Sequence, residues 1–174
     1  ILEKFGTLDV NLMYIGAKNN VFNSHVEFFS KMKKGTLYGL TPLVNETACG
    51  PDFYEEAKKS GHYIELDPAM SMEEAKEYAN KMDVLYTDTW VDMEFFNNPA
   101  YQKQKEETLA KMMPYQLNGD FTKDSKAIVF HDMPMHVGFE ISQDVVDKNL
   151  DHILDEAENR RHAEKAVMYT LLNS

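Results

Sequence analysis

Two polar clusters in the last third of the chain carry the residue types best suited to chemistry. The first is His131-Asp132-Met133-Pro134, which follows the apolar run 127–130, and the second is Ala157-Glu158-Asn159-Arg160, at the start of the last amphipathic segment. A histidine at the end of a strand can polarise a carbonyl group or transfer a proton, although a lone histidine is more often structural. An arginine suits bidentate contact with an oxyanion. Together the clusters predict a small-molecule site.

A third polar stretch, Gly16-Ala17-Lys18-Asn19-Asn20-Val21, falls at the first strand-to-helix turn. Nucleotide-binding folds place glycines at this turn, but the stretch holds one glycine and no G-x-G-x-x-G pattern, which argues against NAD and FAD. Asparagine side chains both donate and accept hydrogen bonds and therefore suit an amino-acid-like ligand. The alternative, that Asn19 or Asn20 only caps the following helix, fits the sequence equally well.

An acidic stretch, Asp88-Thr89-Trp90-Val91-Asp92-Met93-Glu94, follows another predicted strand. Its three carboxylates could hold an amine or a metal ion. Zinc is disfavoured because histidine and cysteine ligands are missing, whereas magnesium bound by carboxylates alone stays open. A solvated acidic loop is the remaining interpretation, and Trp90 is predicted to belong to the core. The sequence holds no Ser-His-Asp, Cys-His or G-x-S-x-G pattern, so nucleophilic hydrolysis has no support.

The elements that must position these clusters alternate between strand and helix. Predicted strands occupy 10–17, 36–40, 62–66, 84–90 and 127–131, and predicted helices occupy 21–32, 51–60, a segment capped by Ser71, most of 97–115, 143–150 and 158–172. Glu74 follows Ser71 at the spacing of a capping box. The alternation predicts an α/β fold, a three-layer α/β/α open parallel sheet that is Rossmann-like and has about five strands. Such sheets bind their ligands at the carboxyl ends of the strands.

Length and composition narrow the classes of function. The 174 residues predict one domain with a sizeable core, and 43% hydrophobic residues in short runs indicate neither a disordered nor a membrane-spanning chain. The net charge of −11 argues against nucleic acid or an anionic membrane as a partner. Cys49 is the single cysteine, so an intrachain disulfide is impossible, and without a signal peptide we expect a cytoplasmic location. Because the chain begins with Ile1, we expect a fragment of a longer protein.

Five motifs occur in an order and at spacings that resemble a known family. They are Asn19-Asn20-Val21; Tyr86-Thr87-Asp88-Thr89-Trp90-Val91 with Met93; Tyr115-Gln116-Leu117-Asn118; His131 and Pro134 with Gly138 and Glu140; and Asp155-Glu156-Ala157-Glu158-Asn159-Arg160. Over nearly its whole length the chain resembles the second half of the aspartate/ornithine carbamoyltransferases, on the ornithine side. Each motif is weak alone, and the ordered set makes the resemblance specific.

The resemblance implies a domain organisation and a set of site residues. Family members have two domains and are commonly trimers, and their N-terminal domain binds carbamoyl phosphate through a Ser-x-Arg-Thr motif that this sequence lacks. Residues 1–174 would then be a single acceptor-binding domain, inactive alone, whose partners are its N-terminal domain, carbamoyl phosphate and an amine acceptor, with no cofactor and no metal. The implied catalytic residues are His131, Asp132 and Arg160. The implied substrate-binding residues are Asn19, Asn20, Asp88, Asp92, Met93, Met133 and Pro134.

The same resemblance implies a role for each part of the site. In the family the acceptor amine attacks the carbamoyl carbon and phosphate leaves. Asn20 and Asp88 would hold the acceptor, and Met93 would lie on a mobile loop that closes over it. His131 and the next two residues would lie beside the reacting centre, and Arg160 would reach the carbamoyl phosphate. Such a transfer needs positioning, a desolvated neutral amine and positive charge near the leaving phosphate.

Two departures from the ornithine pattern add negative charge. Asp92-Met93-Glu94 stands where ornithine enzymes usually have Ser-Met-Gly, and His131-Asp132-Met133-Pro134 stands where they usually have His-Cys-Leu-Pro. Asp132 could accept a proton from the attacking amine or hold it as a cation. The sequence therefore suggests a carbamoyltransferase with a shifted acceptor, such as a diamine or an unusual amino acid, and disfavours anionic acceptors. A family member that binds its ligand without turnover is the alternative.

The closing helix is predicted to carry an apolar face. Its members at helical spacing are Ala163, Ala166, Val167, Thr170 and Leu171. If this face is left uncovered, the fragment should self-associate through it. The alternative is that the face packs on the sheet of its own domain.

Overall fold

Five parallel strands form one sheet in the computed structural model, which describes residues 1–91 and 93–173. Their order across the sheet is β3-β2-β1-β4-β5. The strands are β1 Asn11–Lys18, β2 Thr36–Val44, β3 Tyr63–Glu65, β4 Val84–Thr87 and β5 Ile128–His131. The predicted α/β architecture with a parallel, Rossmann-like sheet is confirmed.

Helices connect the strands and cover both faces of the sheet. They are α1 Leu2–Phe5, α2 Asn20–Met32, α3 Pro51–Lys58, α4 Met72–Ala79, α5 Met93–Phe96, α6 Gln102–Met112 and α7 Gln143–Leu172, with short 3₁₀ turns at Pro99–Tyr101 and Met113–Tyr115. Alternate residues of each strand point to opposite faces, so two apolar clusters form. One packs strand residues such as Met13 and Leu85 against α4 and α7, and the other packs Leu12 and Val84 against α2 and α3.

Local sequence explains where the helices begin. Asn19 is the N-cap of α2, and its side chain accepts a hydrogen bond from the backbone N–H of Phe22 at 2.9 Å. The capping box predicted at α4 is confirmed, because Ser71 Oγ accepts from the backbone N–H of Glu74 and the Glu74 carboxylate accepts from that of Ser71.

Several predicted boundaries were wrong, and β2 runs to Val44 instead of ending at residue 40. β4 ends at Thr87 and not at Trp90, because the Asp88 carboxylate accepts the next backbone N–H, from Thr89, at 2.7 Å and the chain turns out of the sheet. The two predicted closing helices are one helix, α7, because 143–172 contains neither glycine nor proline and Ile153 in its middle is buried against the sheet. Within the described part of the chain, no helix combines the length and the apolar character that crossing a membrane requires.

Candidate functional site

The polar residues singled out in the sequence cluster at the carboxyl ends of three adjacent strands, β1, β4 and β5. The strand order reverses at β1, which pairs with β2 on one side and with β4 on the other. The chain therefore leaves β1 and β4 in opposite directions, and a crevice opens between the two connections. Asn19 follows β1, Asp88 follows β4, and His131 is the last residue of β5.

Asn19 and Asp88 are joined directly across this crevice. Asn19 Nδ2 donates a hydrogen bond of 2.7 Å to Asp88 Oδ2, while Asn19 Oδ1 is occupied by the cap of α2. The Tyr14 hydroxyl lies 3.4 Å from the same Oδ1 atom. Because the amide oxygen serves as the cap acceptor, the amide nitrogen must face the carboxylate. The helix cap at the start of α2 thus fixes the orientation of the Asn19 amide, and this amide in turn fixes the Asp88 carboxylate.

Asp88 is a buried carboxylate with few compensating contacts. Only 6% of the residue is exposed, and Oδ1 accepts from the backbone N–H of Thr89. Burial raises the pKa of Asp88 to about 6, although the hydrogen bonds from Asn19 and Thr89 oppose the rise and the charge of Asp132 adds to it. A carboxylate in this condition is stabilised by any cation that reaches it, so the geometry suits a bound ammonium group.

His131 is buried completely and is tied to a second carboxylate. His131 Nε2 lies 3.2 Å from Glu140 Oε1, and the Glu140 carboxylate, itself buried, also accepts the backbone N–H of His136. Since a carboxylate accepts hydrogen bonds, this contact requires a proton on Nε2 of His131. Nδ1 of His131 has no hydrogen-bond partner among the described residues. Glu140 therefore fixes both the ring of His131 and the loop that follows it.

The other residues predicted around the reacting centre line the loops above this edge. Asp132 is half-buried, whereas Met133 and Pro134 are exposed and joined by a cis peptide bond. Met93 begins α5 and is 46% exposed. Asp92 lies outside the described residues. Met93 thus follows the carboxyl end of β4, and the other three described residues follow that of β5.

Asn20 and Arg160 differ from the residues buried at the edge. Asn20 is the exposed first residue of α2, and its backbone N–H donates to Thr47 Oγ1 at 3.3 Å. Arg160 is exposed on α7, where Nε contacts Glu164 Oε1 at 3.1 Å. The fold of this chain therefore does not bring Arg160 into contact with the buried pair Asn19 and Asp88.

Sequence reasoning missed the hydrogen-bond partner of Tyr86, which lies beside the site. The Tyr86 hydroxyl donates to Glu156 Oε1 at 3.1 Å, and Glu156 Oε2 is buried without a hydrogen-bond partner among the described residues. Burial raises the pKa of Glu156, and the charge of Asp132 adds to the rise. A tyrosine within an apolar strand was the available signal, since a buried hydroxyl needs a partner. The partner, seventy positions later, has no local signature.

No cluster of three or more histidine, cysteine, aspartate or glutamate side chains with metal-binding geometry occurs among the described residues. The arrangement at the edge instead offers a buried carboxylate, an amide and an imidazole. These groups can bind a cationic or amino-acid-like ligand and can hold or move a proton.

Comparisons with known proteins agree with this geometry. Residues 8–171 match the family model described as the Asp/Orn binding domain of aspartate/ornithine carbamoyltransferase. The chain is 34% identical over 170 residues to the ornithine carbamoyltransferase of Chlorobaculum tepidum, which covers 95% of this chain and 46% of that protein. It is 35% identical over 188 residues to the enzyme of that name from Pyrococcus horikoshii, covering 99% of this chain and 52% of that protein.

A solved structure gives the same result in three dimensions. The ornithine carbamoyltransferase from Pyrococcus furiosus superposes with a TM-score of 0.77 at 30% identity, over 97% of this chain and 51% of that one. The chain thus spans about half the length of the relatives that it matches.

Proposed function

Because this chain belongs to the aspartate/ornithine carbamoyltransferase family, whose Asp/Orn-binding domain it matches, we propose that it binds the amine acceptor of a carbamoyl transfer reaction. The chain spans about half of its relatives' length, so the complete reaction is proposed for a full-length protein. In that protein a second domain is proposed to supply the carbamoyl phosphate site, and the proposed assembly is a homotrimer or a higher oligomer.

The observation that carries the proposal is the buried pair of Asn19 and Asp88 at the strand-order reversal. Burial raises the pKa of Asp88 to about 6, so the ionised carboxylate gains most from a ligand that brings positive charge. An acceptor with an ammonium group meets this need. Asn20 at the exposed start of α2 and Met93 on α5 are proposed to complete the contact with the acceptor, as is Asp92.

The proposed reaction is a displacement at the carbamoyl carbon. The acceptor nitrogen attacks that carbon, the bond from carbon to the phosphate oxygen breaks, inorganic phosphate leaves, and the nitrogen loses one proton. Asp132 is proposed to receive this proton, while His131, Met133 and Pro134 shape the pocket around the reacting centre. Arg160 is proposed to neutralise the charge of the leaving phosphate.

The acceptor class follows from the charges around the edge. The charge of Asp132 raises the pKa of both Asp88 and Glu156, which places three carboxyl groups near one another. A ligand with two positive groups offsets more of this repulsion than a zwitterion does. We therefore propose ornithine, or a related diamine or diamino acid, as the acceptor, and rank anionic acceptors last.

The test is a carbamoyl transfer assay on the full-length protein that measures phosphate release. The panel contains ornithine, lysine, putrescine, longer diamines, aspartate and oxamate, each with carbamoyl phosphate. We expect turnover with a cationic acceptor, and we expect Asp132→Asn to shift relative kcat/KM toward ornithine and away from diamines. A preference for aspartate or oxamate would contradict the charge argument. Binding of carbamoyl phosphate without turnover of any acceptor would instead support a non-catalytic, ligand-binding member.

A further inference from the structure

A pair of stacked rings connects the segment after β4 to the loop after β5. The rings of Phe96 and His136 lie with their centroids 3.5 Å apart and their planes 9° from parallel. Phe139 meets the Phe96 ring edge-on at 5.6 Å. Among the described residues, these are the aromatic contacts that join the α5 segment to the loop after β5.

Lys105 holds the same phenylalanine from α6. Its Nζ donates to the backbone oxygen of Phe96 at 2.9 Å and lies 4.8 Å from the centre of the Phe96 ring. Burial lowers the pKa of His136, and the Lys105 charge contributes to the same direction. A neutral imidazole therefore stacks on Phe96 without adding a second cation beside the ammonium group.

Each end of this stack leads to the candidate site. Phe96 is the last residue of α5, and Met93 is its first, so the two residues share one helical turn. On the other side, the backbone N–H of His136 donates to Glu140, the carboxylate that also contacts His131 Nε2. A continuous set of contacts thus runs from Phe96, in the helical turn that Met93 begins, through the stacked rings to the end of β5.

We propose that the stack of Phe96 on His136 sets the position of α5 over the acceptor site, so that both are positioning residues for acceptor binding. The inference rests on the proposed function, because it assumes that Met93 contacts the acceptor. A four-residue helix cannot hold its own place, since so short a helix is marginal without tertiary contacts. Side-chain packing between the two loops must therefore supply the stability that so short a helix lacks.

The test is acceptor kinetics of the full-length protein with ring-deleting and ring-keeping variants. We expect Phe96→Leu and His136→Ala each to raise KM for the acceptor about three- to tenfold, the range of one aromatic pair. In both variants kcat and KM for carbamoyl phosphate should stay within about twofold of wild type. His136→Phe keeps a ring in the stack and leaves the backbone N–H to Glu140 intact, so it should restore the acceptor KM.

The matched control is Phe95→Leu, the same substitution at the neighbouring position of the same helix. The ring centroids of Phe95 and Tyr101 are 4.5 Å apart, so this contact lies within 93–101 and does not reach the loop after β5. We expect its acceptor KM to stay within about twofold of wild type. An acceptor KM unchanged in Phe96→Leu, or raised equally by Phe95→Leu and by His136→Phe, would overturn the positioning role.

A second measurement separates failure of this inference from failure of the proposed function. Hydrogen exchange of the backbone amides at 93–101 should become faster in Phe96→Leu and in His136→Ala. The double variant should exchange at the same rate as each single variant, because both substitutions remove the same contact. If wild type turns over an acceptor but exchange and KM do not respond, the stack has no positioning role. If wild type turns over none, the proposed function fails and this inference fails with it, whatever the exchange shows.

Discussion

The carboxyl edge of the sheet and the second half of α7 carry the two parts of the proposed site, and this chain builds them differently. At the edge, Asn19, Asp88 and His131 are buried. Asn19 and Asp88 are hydrogen-bonded to each other, and His131 contacts Glu140 in the loop after β5. On α7, every residue from 158 to 172 is exposed, and Arg160 contacts a glutamate one turn away. The edge is therefore preorganised within the domain, whereas the arginine lies on the half of α7 that the domain does not cover.

This difference has an energetic consequence. At the edge, a substitution alters groups that hold the fold as well as the ligand, so function and stability should change together. On α7, an exposed ion pair contributes little to stability, so function should change alone. Each of the following experiments tests this difference between the two regions.

Asp88→Asn is expected to have the largest effect. The variant keeps the size of the side chain and one of its two accepted hydrogen bonds, from Asn19 Nδ2 or from the Thr89 N–H, but removes the charge that holds the acceptor. We expect kcat/KM for the acceptor to fall about 100- to 1000-fold, the cost of removing one partner from a buried charge pair. The control is Asp83→Asn, an exposed aspartate before β4 whose carboxylate accepts the backbone N–H of Asn11. Equal losses in the two variants would contradict a specific role for Asp88.

Arg160→Ala tests the other side of the contrast. We expect KM for carbamoyl phosphate to rise about 10- to 100-fold, because a charge-assisted contact to phosphate is lost. The free energy of unfolding should change by less than about 0.5 kcal/mol, as the side chain is exposed. Arg161→Ala is the matched control, since Arg161 is the next residue, is also exposed and pairs with Glu158. A loss of stability in Arg160→Ala would show that the Arg160 side chain contributes to folding as well as to ligand binding.

The pH dependence of stability isolates the cost of burying Asp88. Its pKa is about 6 in the fold and 3.8 ordinarily, so its stabilising contribution is present below 3.8 and is lost as pH rises through 6. The unfolding free energy of Asp88→Asn relative to wild type should therefore be about 1 to 3 kcal/mol higher at pH 7.5 than at pH 4. Urea unfolding of both proteins at the two pH values measures this change. An equal difference at the two pH values would show that ionisation of Asp88 does not destabilise the fold.

The features that the sequence could predict are those that depend on neighbouring residues. The strand–helix alternation, the capping box at Ser71 and the polar residues after β1, β4 and β5 are local patterns, and each was readable from neighbouring residues. The resemblance supplied the order of the motifs. The roles of Asn19 and Asn20 stayed open in the sequence, and the structure assigns the cap to Asn19.

What the sequence could not supply was contact between distant residues. The hydrogen bond from Tyr86 to Glu156, the contact of His131 with Glu140 and the stack of Phe96 on His136 depend on how loops meet after folding. The continuity of α7 was missed for a related reason. An acidic run beginning at Asp155 resembles a helix start, yet Ile153 packs against the sheet and carries the helix through.

The smallest expected effect concerns the exposed face of α7. Val167, Met168 and Tyr169 are exposed, which excludes the alternative that this face packs on the sheet of its own domain. Burial of exposed apolar surface favours association, so this 174-residue chain should self-associate at high concentration. Val167→Glu should weaken that association about tenfold, because it places a charge in the contact.

Sedimentation velocity over a wide range of concentrations measures this association directly. Gln104→Glu on α6 is the control, because it adds the same charge at an exposed position on another helix. Its association should match that of wild type within about twofold. If Gln104→Glu weakens association as much as Val167→Glu does, general repulsion between copies of net charge −11 explains the effect. A wild-type chain that stays monomeric at every concentration would show that the exposed apolar face of α7 does not by itself drive association. The difference between the two regions would then concern ligand binding and stability alone.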